Sequence, residues 1–206
     1  MKPLPKIANV IDYARSAAKS EQMDIFLLAT SCFVIGTTSG LSTVCMTFGT
    51  PMLLVNCISN DWQIWTADTD FVLKRVYSRR EKRYLSLAET YQQPMQGLLI
   101  NNASLTNRGY EIHGNSPEEI RAAVRYKLEI MLGMTVRVDD DHPLLRRYRD
   151  VMAHNPHMFG AARPALPFLE ASPELLEHAP TSWTSVLGSR QVNYEPRLRT
   201  AVVGAT

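Results

Sequence analysis

The chain has 206 residues, 45% hydrophobic and 20% charged, and 22 basic against 20 acidic side chains leave a formal net charge of +2. That length holds one domain with a sizeable core, or one domain with an appendage, and the composition is that of an ordinary globular protein. The near-even charge argues against a dedicated nucleic-acid surface and leaves room only for a local basic patch.

Three cysteines, Cys32, Cys45 and Cys57, are an odd and irregularly spaced set. They do not read as a disulfide framework. Cys32 and Cys45 stand in apolar runs and are expected to be buried free thiols in a reducing compartment. The start, Met1-Lys2-Pro3-Leu4-Pro5-Lys6, lacks the apolar core of a secretory signal. The longest apolar run, Ile25 to Ile35, is broken by Thr30 and Ser31 and is shorter than the ~20 residues of a membrane span. These features predict a cytoplasmic protein, with peripheral association at the inner face of the membrane left open.

In chain order, Ile7 to Tyr13 reads as a short strand. Ser20 caps a helix running to about Ser31. Cys32-Phe33-Val34-Ile35 is a continuous apolar run, the pattern of a strand buried on both faces of a parallel sheet. After the turn Gly36 to Gly40, the apolar residues Leu41, Val44, Cys45 and Phe48 form one helical stripe. Gly49 stands at the helix C-cap with Pro51 just beyond it. Pro51 to Val55 reads as the next buried strand. Residues 32–55 thus spell strand, helix, strand, and predict a right-handed parallel crossover.

The pattern weakens from Cys57 to Tyr84, where Lys74-Arg75 and Arg79 to Arg83 are basic. Ser86 and Glu89 have capping-box spacing. Leu98-Leu99-Ile100 and Tyr110-Glu111-Ile112 are candidate strands. Ser116-Pro117-Glu118-Glu119 is a strong helix start, and apolar residues continue at helical spacing to Met131. The residues after Gly133 look like a separate layer, with a helix over Pro143 to Val151. The segment Gln191 to Thr206 reads as a poorly ordered tail.

The turn between the first strand and its helix is where the chemistry concentrates. The first turn of a helix offers unpaired N–H groups and the positive end of a dipole. Gly36 and Gly40 allow close backbone approach. Thr37, Thr38, Ser39 and Ser42 add hydroxyls. The set suits a phosphate, although small polar caps on a core helix have the same composition. No lysine follows Gly40, so this is not a Walker loop, and the G-x-G-x-x-G dinucleotide spacing is absent.

Several blocks together resemble a family of bacterial surface-carbohydrate glycosyltransferases. They are Phe33 to Ser42, Phe48-Gly49-Thr50-Pro51 and Val55-Asn56. Flanking blocks are Ile11 to Ser16, Lys19-Ser20-Glu21, Met23 to Leu27, Arg83 to Glu89, Asn115 to Ile120 and, more loosely, Ala161 to Leu176. That family is similar to GT-B enzymes, in which two Rossmann-like halves face a cleft and the C-terminal half holds a nucleotide sugar. The resemblance implies that Gly36, Thr37, Thr38, Ser39, Gly40 and Ser42 bind the donor diphosphate. It implies transfer from a nucleotide sugar to a surface-polysaccharide or lipid-linked acceptor, with no cofactor or metal. Family members carry an N-terminal domain ahead of these blocks. The expectation is therefore an active donor half, or a non-catalytic nucleotide-binding module or remnant. Either would work with an N-terminal-half partner or as a homodimer.

Other residues offer candidate chemistry beside that loop. Lys19 would balance diphosphate charge and Asp24 would orient a loop; both also suit a solvated helix start. Glu89 would accept hydrogen bonds from a ribose, or simply close the capping box with Ser86. Arg79 to Arg83 would face an anionic acceptor or a membrane surface, or water. Asp139-Asp140-Asp141-His142 contains a D-x-D spacing but also starts a helix at Pro143. His154 and His157 lack a third metal ligand. No general base is identified. The predicted architecture is α/β. A Rossmann-like domain over residues 1–135 resembles the C-terminal half of a GT-B enzyme, and residues 136–206 form a helical extension and tail.

Overall fold

The computed structural model describes residues 3–58, 66–92, 95, 99, 102–138, 141–153 and 160–177. Its centre is a four-stranded parallel sheet of β1 (Val34–Gly36), β2 (Met52–Cys57), β3 (Thr69–Leu73) and β7 (Arg163–Pro164), in the order β1-β2-β3-β7. Helices flank it, the arrangement of a Rossmann-like α/β fold. β2 and β3 supply the core: Met52, Leu53, Phe71 and Val72 have no exposed surface. They are the strands buried on both faces.

β1 is different. It lies at the sheet edge, and Ile35 is 46% exposed. The apolar run that reads as a fully buried strand is thus a short edge strand, because apolarity alone does not say how many neighbours a strand has. Val34 N–H donates to Pro51 C=O, so Val34 and Gly36 bond β2 while the N–H and C=O of Ile35 point away from it. Cys32, expected to be buried, is exposed; Cys45 is buried as expected, and both are free thiols.

The helix ends follow the sequence closely. Ser20 accepts from the N–H of Met23 at 3.1 Å and starts α1 (Glu21–Thr30). α2 (Gly40–Phe48) ends at Gly49, whose φ of 70° is the left-handed cap glycine tolerates best. Its buried side is not the predicted stripe. Leu41 and Phe48 are exposed, while Ser42 and Cys45 face inward with Met46 packed beside them. At 3.6 residues per turn, the helix is rotated by about a quarter turn from the stripe. No strand forms over Ile7 to Tyr13. Asn9 has a φ of 62°, which breaks extended backbone, and Tyr13–Arg15 is a single 3-10 turn.

After β3 the chain leaves the parallel sheet for an antiparallel one. β4 (Arg75–Ser78) is flanked by β5 (Arg83–Tyr84) and β6 (Tyr110–His113), order β5-β4-β6. The basic run Arg79 to Arg83 is the turn joining β4 to β5, tightened by Lys82 at a φ of 54°. α3 (Leu87–Thr90) and α4 (Asn102–Asn107) lie between β5 and β6. Leu99, in a candidate strand, is in a turn; Leu98 and Ile100 lie outside the described residues. α5 (Pro117–Met131) has the predicted capping box, Ser116 with Glu119, and packs on β2 and β3.

The residues after 135 are not a separate layer. Phe71 pairs with Pro164 and Asp70 with Arg163 in the sheet. α6 (Pro143–Met152), α7 (Leu166–Glu170) and the closing 3-10 turn Pro173–Leu176 place Tyr148, Met152, Phe168 and Leu175 in the common core. Sheet and core both cross the boundary that the sequence suggests. Asp139, Asp140, His154, His157 and the tail from 178 lie outside the described residues. Among the described residues no helix is long and apolar enough to cross a membrane.

Candidate functional site

Parallel strands send their C-terminal ends to one margin of the sheet, the place where open α/β sheets bind ligands. Gly36 ends β1 at this margin, level with Leu54 and Phe71. Thr37, Thr38 and Ser39 connect it to α2. The hydroxyls of Thr37 and Thr38 have no partner among the described residues. Ser39 N–H donates to Ser42 Oγ at 3.2 Å, and Ser42 N–H donates to Ser39 C=O at 3.1 Å. Ser42 is thereby spent: it is buried and caps its own helix. The first N–H groups of α2 have no intrahelical acceptor.

Gly36 and Gly40 have ordinary backbone angles, and a Cβ built on either meets nothing within 4 Å. Among the described residues nothing requires glycine at these two positions.

Lys19 and Asp24 stand near the same helix start. A cavity of about 290 Å³ is lined by Tyr13, Lys19, Asp24, Leu27, Leu28 and Leu41, the last being next to Gly40. Asp24 accepts from Tyr13 Oη at 2.7 Å and forms an ion pair with Lys19. Lys19, and then Tyr13, hold the Asp24 carboxyl below its ordinary range, and Asp24 raises Lys19. The lysine charge is therefore already matched by a neighbour.

Glu89 is engaged elsewhere. Its two oxygens take a bidentate pair from Arg83 at 2.7 and 2.8 Å, and one also accepts Ser86 N–H at 2.8 Å. Arg83 is the chief cause that lowers Glu89 to about 2, with Ser86 contributing. Its helix, α3, packs on α6 and the closing 3-10 turn. Glu89 does not line the cavity beside Gly40, so the capping role is the one observed. Of the basic run, Arg79 pairs with Glu111 and Arg83 with Glu81 and Glu89.

Two further features carry interactions that spacing in the sequence does not announce as a site. Asn56, with a φ of 55°, and Asn115 clasp each other. Asn56 N–H donates to Asn115 Oδ1 at 2.6 Å, and Asn115 N–H to Asn56 Oδ1 at 2.8 Å. Asn115 Nδ2 also donates to Leu73 C=O at 2.7 Å. The clasp ties the ends of β2 and β3 to the start of α5. A Cβ at Gly114 would stand 3.0 Å from Asn56 Oδ1, so glycine leaves the clasp its room.

The second feature is one face of the antiparallel sheet, carrying Arg75, Tyr77, Tyr84, Glu111 and His113. Tyr84 Oη lies 3.0 Å from His113 Nδ1, and His113 Nε2 lies 2.9 Å from Glu111 Oε2. Arg79 Nε donates to the other Glu111 oxygen at 2.5 Å. His113 first, then Arg79, draw the Glu111 carboxyl below its ordinary range. The Tyr77 ring stacks on His113 at 5.4 Å, and Arg75 lies 4.7 Å from the centroid of Tyr84. The i, i+2 spacing of Glu111 and His113 on a strand puts both on one face, the single signal the sequence held for this group. Tyr84 is distant in sequence and could not be joined to them by pattern.

Comparison with family models, with curated proteins and with solved structures returned no match.

Proposed function

We propose that this chain is the donor-binding half of a metal-independent glycosyltransferase, transferring sugar from a nucleotide sugar to a surface-polysaccharide or lipid-linked acceptor. The diphosphate would dock on Gly36, Thr37, Thr38, Ser39 and Gly40. The observation carrying this reading is the parallel unit β1, loop, α2, β2, with its loop open at the C-terminal margin. Two hydroxyls there are unpartnered among the described residues, and two glycines are unexplained by internal packing. The resemblance of the ordered sequence blocks to surface-carbohydrate glycosyltransferases supports the same reading, including its likeness to a GT-B half. Helix N–H groups would stabilise the leaving diphosphate as its charge grows. Lys19 and Asp24 would border the donor through the adjoining cavity, and Ser42 would act through the cap rather than by contact. Glu89 is not part of the site in this reading.

A second reading, a non-catalytic nucleotide-binding module acting with an N-terminal-half partner, is favoured by the apolar surface of the first 48 residues. Phe26, Leu41 and Phe48 are each more than half exposed, at 57%, 53% and 55%. Both readings need the loop to bind nucleotide. The test is calorimetric titration with UDP, GDP, ADP and CDP beside a Gly40→Asp variant. Because a side chain at Gly40 meets open space, the variant should fold and lose binding by at least tenfold. Equal binding by Gly40→Asp would remove the loop from the site.

A further inference from the structure

We propose that Tyr84, backed by His113 and Glu111, accepts the proton of a sugar hydroxyl as that hydroxyl attacks the donor. The inference rests on the donor-binding reading above and supplies the base that the sequence did not reveal. Its ground is a chain of hydrogen bonds with one consistent polarity. The Glu111 carboxylate only accepts, so the His113 Nε2 beside it carries hydrogen. In the neutral ring Nδ1 is then bare and accepts the Tyr84 hydroxyl. A base oriented by a carboxylate, with a hydroxyl at its other nitrogen, is the arrangement that activates hydroxyl groups in covalent and general-base catalysis.

The placement fits. Arg75 opens β4 two residues after β3 ends, and it is paired in register with His113. The group therefore lies just beyond the C-terminal end of β3, at the margin where Gly36 also ends β1. The His113 and Glu111 side chains are each 37% exposed. A cavity of about 340 Å³, lined by Leu105, Thr106, Tyr110, Glu111, Ile112 and His113, adjoins them. That volume lies at the lower end for small-molecule sites.

The charged and titratable groups around His113 are Arg75, Tyr77 and Arg79 from β4, Tyr84 from β5 and Glu111 from β6. Arg75 lies over the Tyr84 ring and is itself paired with Glu119 at 2.7 Å and Glu174 at 3.9 Å. In the step, the acceptor O–H proton passes to Tyr84 Oη while the Tyr84 proton passes to His113 Nδ1. The acceptor oxygen forms its bond to the anomeric carbon. The bond from that carbon to the diphosphate breaks, and its electron pair leaves with the diphosphate. The proton rests on His113 as an imidazolium beside Glu111. Tyr84 is the residue that touches substrate; His113 and Glu111 act through it.

The experiment follows nucleoside diphosphate release from UDP-, GDP-, ADP- and CDP-glucose with octyl glucoside as acceptor, from about pH 5 to pH 9, with calorimetry on the same preparations. Tyr84→Phe keeps the ring and should lower kcat by ~10²–10⁴-fold at unchanged nucleotide affinity. Glu111→Gln, which removes the carboxylate that orients the His113 ring, should lower kcat while the KM for octyl glucoside and the nucleotide affinity stay unchanged. Native kcat in both variants, with nucleotide still bound, overturns the relay and leaves the donor site standing. So does nucleotide binding without any product from the native chain. Absence of binding for all four nucleotides overturns the donor reading itself, and the relay with it.

Discussion

Glu89 shows how a residue with plausible ligand chemistry is claimed by local structure. Its carboxylate closes the capping box of α3 and takes both arms of Arg83. Its value near 2 lies below the ordinary 4.5, so the ionised form stabilises the fold at neutral pH. That stabilisation is fully present above 4.5 and is lost as the pH falls toward 2. The side chain is a third exposed, so screening keeps the effect modest. Glu89→Gln should therefore lower the melting temperature by a few degrees at pH 7, on the order of 1 kcal/mol. It should also flatten the dependence of stability on acid. Thermal unfolding of both proteins at pH 7 and pH 3 measures it; parallel losses would show that the ion pair contributes nothing. Gly36 and Gly40 make the opposite case: among the described residues no contact claims them, which is why a substitution there reports on a ligand.

Among the elements, α5 is held to the sheet by a buried charge cluster. Lys127 Nζ donates to Asp70 Oδ2 at 2.7 Å and to Asp68 C=O at 2.6 Å, and Arg137 reaches Asp70 Oδ1 at 2.6 Å. The Lys127 and Asp70 side chains are only 5% and 2% exposed. The cluster lies at the start of β3, away from the margin that carries the candidate site, so its role is to register α5 against β3. Asp70→Asn leaves Lys127 without its counter-charge and Arg137 with Asp68 alone at 3.6 Å, and should cost about 3–5 kcal/mol. Urea unfolding checks this; a loss below about 1 kcal/mol would mean that water relieves the two cations. Nucleotide affinity per folded molecule should not change.

For the whole molecule, apolar surface is unevenly covered. Leu4, Ile7, Ile11, Ile25, Phe26, Ile35, Leu41 and Phe48 are exposed within the first 48 residues, Leu132, Met134 and Val136 form a second exposed stretch, and among the described residues β1 is paired on one side only. Apolar patches and unpaired strand edges of this kind favour association. Light scattering across concentration should show a dimer forming, and Ile35→Lys with Phe26→Lys should shift it toward monomer. A monodisperse monomer at every concentration would show that this surface is tolerated as it stands.

The sequence by itself determined the local events. Ser20, Ser86 and Ser116 cap helices, Gly49 ends one, and the unit from Val34 to Cys57 is strand, helix, strand, with its two strands parallel. These depend on side chains bonding backbone within a few residues, and such reach is written in spacing. Only the tertiary structure decided what depends on neighbours distant in the chain. It made β1 an edge, turned Ser42 inward in place of Leu41, and brought Arg163 and Pro164 into the sheet beside β3. It also joined Tyr84 to His113, which are 29 residues apart. Hydrophobic pattern states that a residue is apolar; whether water or another strand lies beside it is settled by packing.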